Sequence, residues 1–172
     1  MRPVTDAPRL QRFMRALAAE AQEQARVYLT GGATAVLIGW RPTTIDVDLK
    51  IVPERDELLR AIPRLKESLQ INVELASPDA FIPPLPGWED RSPVALHEGR
   101  VSFHHYDFYA QALAKIERSH RQDLDDAQEM VRRGLVEAGQ LRAYYDAIEP
   151  QLYRYPALDA ATFRRAVEDF LR

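Results

Sequence analysis

Residues 27–49 constrain the fold more than any other stretch of this 172-residue chain. The apolar run Val27–Leu29 stops at Gly31–Gly32, and a second apolar run carrying Asp46 and Asp48 follows after a segment of small residues. This order is typical of a strand, a tight turn, a short helix and a second strand. Side chains of a strand alternate between the two faces of a sheet. We therefore expect Ile45, Val47 and Leu49 to be buried on one face and both aspartates to lie on the other.

Two adjacent carboxylates repel each other unless a cation lies between them, and a divalent ion is the usual solution. Glu74 lies on the next predicted strand, and Asn72 shares its face. If the two strands are neighbours, Asp46, Asp48 and Glu74 converge and suit Mg²⁺ or Mn²⁺ holding the phosphates of a nucleotide. The alternative is the solvated polar face of a half-exposed strand, which has the same sequence pattern.

Gly31–Gly32 has two interpretations. Backbone N–H groups at a strand-to-helix turn favour a bound phosphate, and glycine allows a ligand to approach the main chain closely. A tight turn without any ligand needs the same residues.

The remaining pattern predicts a mixed α/β core. Asp6 is expected to cap the first helix, with Pro8 in its first turn, after a loose lead-in over residues 1–7. Apolar periodicity predicts further elements in this order: helix 7–25, strand 27–30, helix 32–39, strand 44–52, helix 54–69 and strand 71–75.

Residues 77–93 contain five of the twelve prolines and are expected to form a long loop that packs through its apolar side chains. A hairpin is predicted around His97–Arg100, and helical periodicity dominates from Tyr106 onwards. The chain thus divides into a core over residues 1–105 and a helical portion over 106–172, packed on it as one compact unit. We expect a small sheet of four or five strands with flanking helices.

A second group of charged residues lies in the helical part. Lys115 and Arg118 are three residues apart and share a helix face, as do Asp123 and Asp126 on the next predicted helix. The four side chains can form a partly buried ion network, or an array of surface salt bridges that adds little to stability. His104 and His105 are expected on opposite faces of a strand, so they cannot bind one metal ion together.

Both groups resemble motifs of one superfamily. Gly31–Gly32, Arg41, Thr44 and Asp46-x-Asp48 are similar to the first motif of the nucleotidyltransferases, which have the DNA polymerase β-like fold. More narrowly, the chain resembles the AbiEii/MenT-like nucleotidyltransferases of bacterial and archaeal toxin–antitoxin systems. Their Lys-x-x-Arg and Asp-x-x-Asp elements are similar to the sequence from Lys115 to Asp126. The resemblance spans roughly residues 25–135.

The resemblance implies transfer of a nucleotidyl group from an NTP to an acceptor hydroxyl of RNA, tRNA in particular, or of a protein. The enzyme would be a toxin controlled by a separate antitoxin protein. The implied metal ligands are Asp46 and Asp48, and the implied nucleotide-binding residues are Gly31, Gly32, Arg41, Thr44 and Lys115. Arg118 would neutralise charge, while Asp123 and Asp126 would orient these cations or act as a base.

Two positions depart from the family pattern. Gly32 stands where several relatives have serine, and Phe108 stands where the group often has lysine. Both departures favour an alternative, a non-catalytic module that binds a nucleotide or a protein. A third possibility is transfer to a small molecule, with the proline-rich loop walling the pocket.

Composition excludes several other classes. The chain has no cysteine, so it has neither disulfides nor a thiolate zinc site, which fits a cytoplasmic location. No apolar stretch approaches the ~20 residues of a membrane helix. The formal charge of −3 argues against a uniformly basic nucleic-acid-binding surface but allows a local basic groove.

Overall fold

The computed structural model describes residues 3–172 and shows a mixed α/β protein, which confirms the predicted fold class. The chain divides into two compact units. The first contains the residues up to Ser77 and Ser92–His105, and the second contains Pro78–Arg91 and Tyr106–Arg172. No helix of the described chain is long and apolar enough to cross a membrane.

The first unit holds all the strands of the described chain. Its elements are β1 (Thr5–Asp6), α1 (Ala7–Ala19), β2 (Ala25–Thr30), α2 (Gly32–Ile38), β3 (Thr43–Thr44), β4 (Asp46–Val52), α3 (Asp56–Leu69), β5 (Asn72–Leu75), β6 (Val94–Glu98) and β7 (Val101–His105). Five strands form a mixed sheet in the order β5–β4–β2–β7–β6. β2 is antiparallel to β4 and parallel to β7, whereas β4 and β5 are parallel.

The core of this unit lies on one face of the sheet. Val47, Leu49 and Ile51 alternate with half-buried polar residues along β4, as the sequence predicts. They pack with Leu10, Phe13 and Leu17 of α1 and with Leu58 and Ile62 of α3. Asp6 accepts a hydrogen bond from the Arg9 amide at 3.0 Å, which confirms the predicted cap of α1.

Three observations depart from the sequence pattern. Ile45 is 48% exposed because it precedes β4, and Leu75, which continues the alternation of Ile71 and Val73, is 60% exposed because it ends β5 at the edge of the sheet. The first helix ends at Ala19 instead of residue 25, since Ala25 already belongs to β2 and its amide donates to the Arg100 carbonyl at 3.0 Å.

The predicted lead-in over residues 1–7 is also partly wrong. Met1 and Arg2 lie outside the described residues, but Thr5 and Asp6 pair with Thr44 and Thr43 in a separate two-stranded ladder. This ladder anchors Thr44 immediately before the strand that carries the two aspartates.

The second unit is helical. It consists of α4 (Phe108–Arg118), α5 (Arg121–Arg132), α6 (Ala138–Ile148) and α7 (Ala160–Phe170), with 3₁₀ segments at Pro78–Ala80 and Glu149–Arg154. Tyr145 and Phe163 are buried and meet edge to face, with ring centroids 5.1 Å apart.

The proline-rich loop packs within this second unit, as predicted. Ile82 and Leu85 are buried, and the Trp88 ring stacks on Tyr106 with centroids 4.3 Å apart. Arg91 pairs with Asp107 at 2.8 Å, and Asp107 also accepts a hydrogen bond from the Tyr109 amide at the start of α4. Burial raises the pKa of Asp107, and the Arg91 guanidinium opposes that rise. The pair therefore ties the loop to α4.

Candidate functional site

The aspartates of β4 lie on the sheet face opposite the core. Both are half-buried, and Asp48 lies opposite Thr30, the last residue of β2, in the strand register. Asp46 accepts a hydrogen bond from the Asn72 side-chain amide on β5. The structure therefore brings two carboxylates together at the end of β2. Oxygen ligands of this kind suit a hard divalent cation such as Mg²⁺.

Glu74 lies opposite Asp48 in the parallel register of β4 and β5, but its side chain is exposed. Within residues 3–172, no three His, Asp or Glu side chains are grouped so that they can hold a metal ion. The observed donor set is thus two carboxylates with Asn72 beside them. A role for Glu74 as a third ligand stays a prediction.

Gly31 and Gly32 form the turn between β2 and α2 that the sequence predicts. Gly31 has a φ of 63°, a backbone conformation that residues with side chains rarely adopt. A Cβ on Gly31 would lie 3.4 Å from Asp48 Oδ2, so the turn lies directly beside that carboxylate. Gly31 is the N-cap of α2 and has no side chain with which to cap the helix.

Thr44 fills the space beside Gly32. A Cβ on Gly32 would overlap the Thr44 hydroxyl and would lie 2.6 Å from Thr44 Cβ. The Thr44 hydroxyl donates to the Asp46 carbonyl at 3.1 Å. Position 32 therefore has no room for a serine side chain, and a hydroxyl from Thr44 lies there instead.

We expect Gly32→Ala to destabilise the protein by about 1–3 kcal/mol, because Thr44 is β-branched, buried and anchored by the β1–β3 ladder. Urea unfolding followed by circular dichroism measures the change. Gly139→Ala is the control, since Gly139 is also helical and the atom nearest to a Cβ there would be Oε1 of the Glu137 cap, at 3.2 Å, which is a tight contact and not an overlap. Equal free energies of unfolding for the two variants would show that Thr44 moves away from position 32 without destabilising the protein.

Arg41 follows the carboxyl end of α2, and its amide donates to the Ala35 carbonyl at 3.3 Å. Its backbone thus lies at the opposite end of α2 from the glycine turn. A role for its half-buried side chain in nucleotide binding stays a prediction.

The second predicted group assembles within the helical unit, between α4 and α5. Lys115 Nζ lies 3.0 Å from Asp126 Oδ2 and 3.8 Å from Asp123 Oδ1, and all three side chains are buried. Arg118 Nε lies 3.6 Å from Asp123 Oδ2, but half of its side chain is exposed, and its guanidinium lies 6.0 Å from the centre of the Phe81 ring. The group is therefore a partly buried ion network and not an array of surface salt bridges. Its four charges sum to zero.

The sequence interpretation missed a polar contact in the first unit. Thr34 of α2 and the buried His105 of β7 are hydrogen-bonded, Oγ1 to Nδ1, at 3.0 Å. Burial, helped by the nearby His104, lowers the pKa of His105 to about 4, so this imidazole is neutral at pH 7. The contact ties α2 to β7 across 71 residues of sequence. His104 and His105 lie on opposite faces, as predicted, with His104 stacked on Tyr28.

Comparison of the chain with protein-family models, with curated proteins and with solved structures finds no significant match. Only the side chains of the candidate site and the motif resemblance therefore indicate a function.

Proposed function

We propose that this protein is a nucleotidyltransferase, which transfers an NMP from an NTP to an acceptor hydroxyl. The observation that carries the proposal is the placement of Asp46 and Asp48 on one sheet face beside the Gly31–Gly32 turn. A strand-end carboxylate pair next to a half-buried glycine turn combines a cation site with a place for phosphate oxygens.

In the proposed reaction, the acceptor oxygen forms a bond to the α-phosphorus of the NTP. The bond from that phosphorus to the bridging β-oxygen breaks, and pyrophosphate leaves with the bonding electrons. The proton of the acceptor hydroxyl passes to a carboxylate base. Mg²⁺ or Mn²⁺, held by Asp46 and Asp48, would supply charge neutralisation for the phosphates. Such a step depends mainly on positioning and electrostatic stabilisation.

The chain's own residues have separable roles in this proposal. The glycine turn offers backbone N–H groups to phosphate oxygens, and the Thr44 hydroxyl keeps the turn and the start of β4 in register. By the resemblance, Lys115 and Arg118 neutralise phosphate charge, and Asp123 or Asp126 is the base. Because Lys115 is already paired with two carboxylates, Arg118 is the more accessible cation of that group.

Label transfer tests the proposal directly. The protein is incubated with each radioactive NTP in turn, with total RNA or total protein as acceptor, and with Mg²⁺ or EDTA. We expect one NTP to label one class of acceptor in Mg²⁺ and the labelling to fall to background in EDTA. Labelled RNA, and tRNA in particular, would support the toxin role with a cognate antitoxin as partner. Absence of label from every NTP, in RNA, protein and added small hydroxyl compounds alike, would contradict the proposal.

Two observations favour a second candidate, a non-catalytic module that binds a nucleotide. The Asn72 amide already contacts Asp46, and two carboxylates are fewer ligands than two-metal catalysis uses. Calorimetry separates the two candidates. The module predicts tight NTP binding that is unaffected by Mg²⁺ and is not followed by turnover, whereas the enzyme predicts binding that strengthens with Mg²⁺.

A further inference from the structure

A pocket of about 460 Å³ lies at the end of the sheet where β2 begins and β4 ends. Its lining includes Arg26, Arg55, Arg100, His97 and Ser102, and no carboxylate lines it among the described residues. Along β2, Arg26 is four residues from Thr30, the partner of Asp48 in the register. At the rise of a strand, this separation is roughly 13 Å. The pocket is therefore distinct from the aspartate pair.

The strand register fixes the relative positions of three of the polar residues that line the pocket. Arg26 lies opposite Ser102 of β7, and Ser102 lies opposite His97 of β6. Neighbouring strands are about 5 Å apart, so these side chains form a row across three strands on one face. Arg100 is held at the rim, because its guanidinium donates to the Gln22 carbonyl.

Arg55 is oriented by the protein on two sides. Its two terminal nitrogens donate to Glu23 at 3.0 Å and to the Gln24 carbonyl at 2.9 Å. Its Nε is buried and makes no hydrogen bond within the described chain. The guanidinium is therefore preorganised, and its terminal nitrogens, not the enclosed Nε, are the donors that a ligand can reach.

The charge of the pocket is unusual for a chain with a formal charge of −3. Of the nearby carboxylates, Glu23 pairs with Arg55 and is 68% exposed, and Glu98 lies 4.0 Å from Arg15. Glu54 precedes Arg55 in the chain but does not line the pocket. Three arginines line the pocket and no carboxylate lines it among the described residues, and like charges held together favour binding of an anion.

We propose that this pocket binds a phosphate group, carried either on a polynucleotide or on a free nucleotide. Guanidinium groups present planar pairs of N–H donors that match phosphate oxygens. The Ser102 hydroxyl lies in the same row and is hydrogen-bonded to His104 Nε2 at 3.0 Å. The volume exceeds that of a lone phosphate and lies in the range of small-ligand sites. This inference goes beyond the proposed function and does not depend on it.

Binding to the full-length chain tests the site, with a short fluorescent single-stranded RNA, inorganic phosphate and ATP as probes. Arg26→Gln/Arg100→Gln is compared with Arg12→Gln/Arg60→Gln, which removes the same charge from exposed positions on α1 and α3. We expect the pocket variant to weaken RNA binding by about tenfold or more and to reduce its salt dependence. The control should change binding much less. Arg26→Lys/Arg100→Lys keeps the charge but removes the planar donor pairs, and we expect an intermediate loss.

The probes distinguish the sources of the phosphate. RNA binding that inorganic phosphate displaces only weakly identifies a polynucleotide. Arginine-dependent binding of ATP or phosphate without RNA binding identifies a free nucleotide. Equal losses in the pocket variant and the control, or no binding of any probe to the wild-type chain, would overturn the proposal. Thermal unfolding checks that each variant is folded. Binding is measured in EDTA, so that a metal-dependent nucleotide site at Asp46 and Asp48 does not contribute, which separates this site from the proposed catalytic function.

Discussion

Lys115→Met is expected to lower the free energy of unfolding by about 3–5 kcal/mol, because it removes the cation 3.0 Å from the buried Asp126 carboxylate and one of the two cations beside Asp123. Only 11% of the Lys115 side chain is exposed, and the side chain of Asp126 is 5% exposed. Methionine fills a similar volume, so lost packing contributes little to the change. Urea unfolding followed by circular dichroism measures the difference.

Two further variants identify the cause. Lys115→Met/Asp126→Asn removes the carboxylate nearest to the lysine and is expected to recover a large part of the loss. Arg118→Met removes a half-exposed partner of Asp123 and should cost at most about 1 kcal/mol. If Lys115→Met unfolds at the same urea concentration as the wild type, the network does not stabilise the helical unit.

The parts of the fold predicted from sequence are those with a repeated local pattern. Alternation along β4 identifies Val47 and Leu49 as buried and both aspartates as facing away from them, because the period of a strand is fixed by its backbone. The three-residue spacing of Lys115 with Arg118 likewise fixes a common helix face.

The errors arise where position within the sheet, and not local pattern, decides burial. Leu75 continues the apolar alternation of Ile71 and Val73, yet it ends the edge strand β5 and is exposed. The β1–β3 ladder has two residues in each strand, which is too short for any periodicity. Thr5 is buried by its partner Thr44, which is 39 positions away in the chain.

In the candidate site too, features with a local sequence pattern are predicted and features that depend on tertiary packing are not. The sequence identifies the aspartate pair and the glycine turn, but not the steric exclusion at Gly32, which depends on the placement of Thr44 by a separate ladder. Nor does it identify the pocket of Arg26, Arg55 and Arg100, since these residues come from three distant segments. Contacts of this kind depend on tertiary packing and leave no local signal.

Asp46→Asn/Asp48→Asn is expected to reduce label transfer by on the order of a thousandfold or more, because the amides preserve shape but remove both negative charges. A second measurement does not require turnover. Mg²⁺ that binds only the folded state raises the unfolding temperature of the wild type, and the variant should lose that increase. Asp90→Asn/Asp125→Asn removes two exposed carboxylates and serves as the control.

The stability of the variant without Mg²⁺ adds an independent test. Asp46 and Asp48 lie on one face of β4, so their negative charges repel when no cation lies between them. Mg²⁺ should therefore stabilise the wild type more than the double variant. This difference is specific to a cation site, since a pair that serves only as a solvated strand face gives the same difference in stability between the two proteins in Mg²⁺ and in EDTA. Undiminished label transfer by the folded variant would exclude the two aspartates from the reaction.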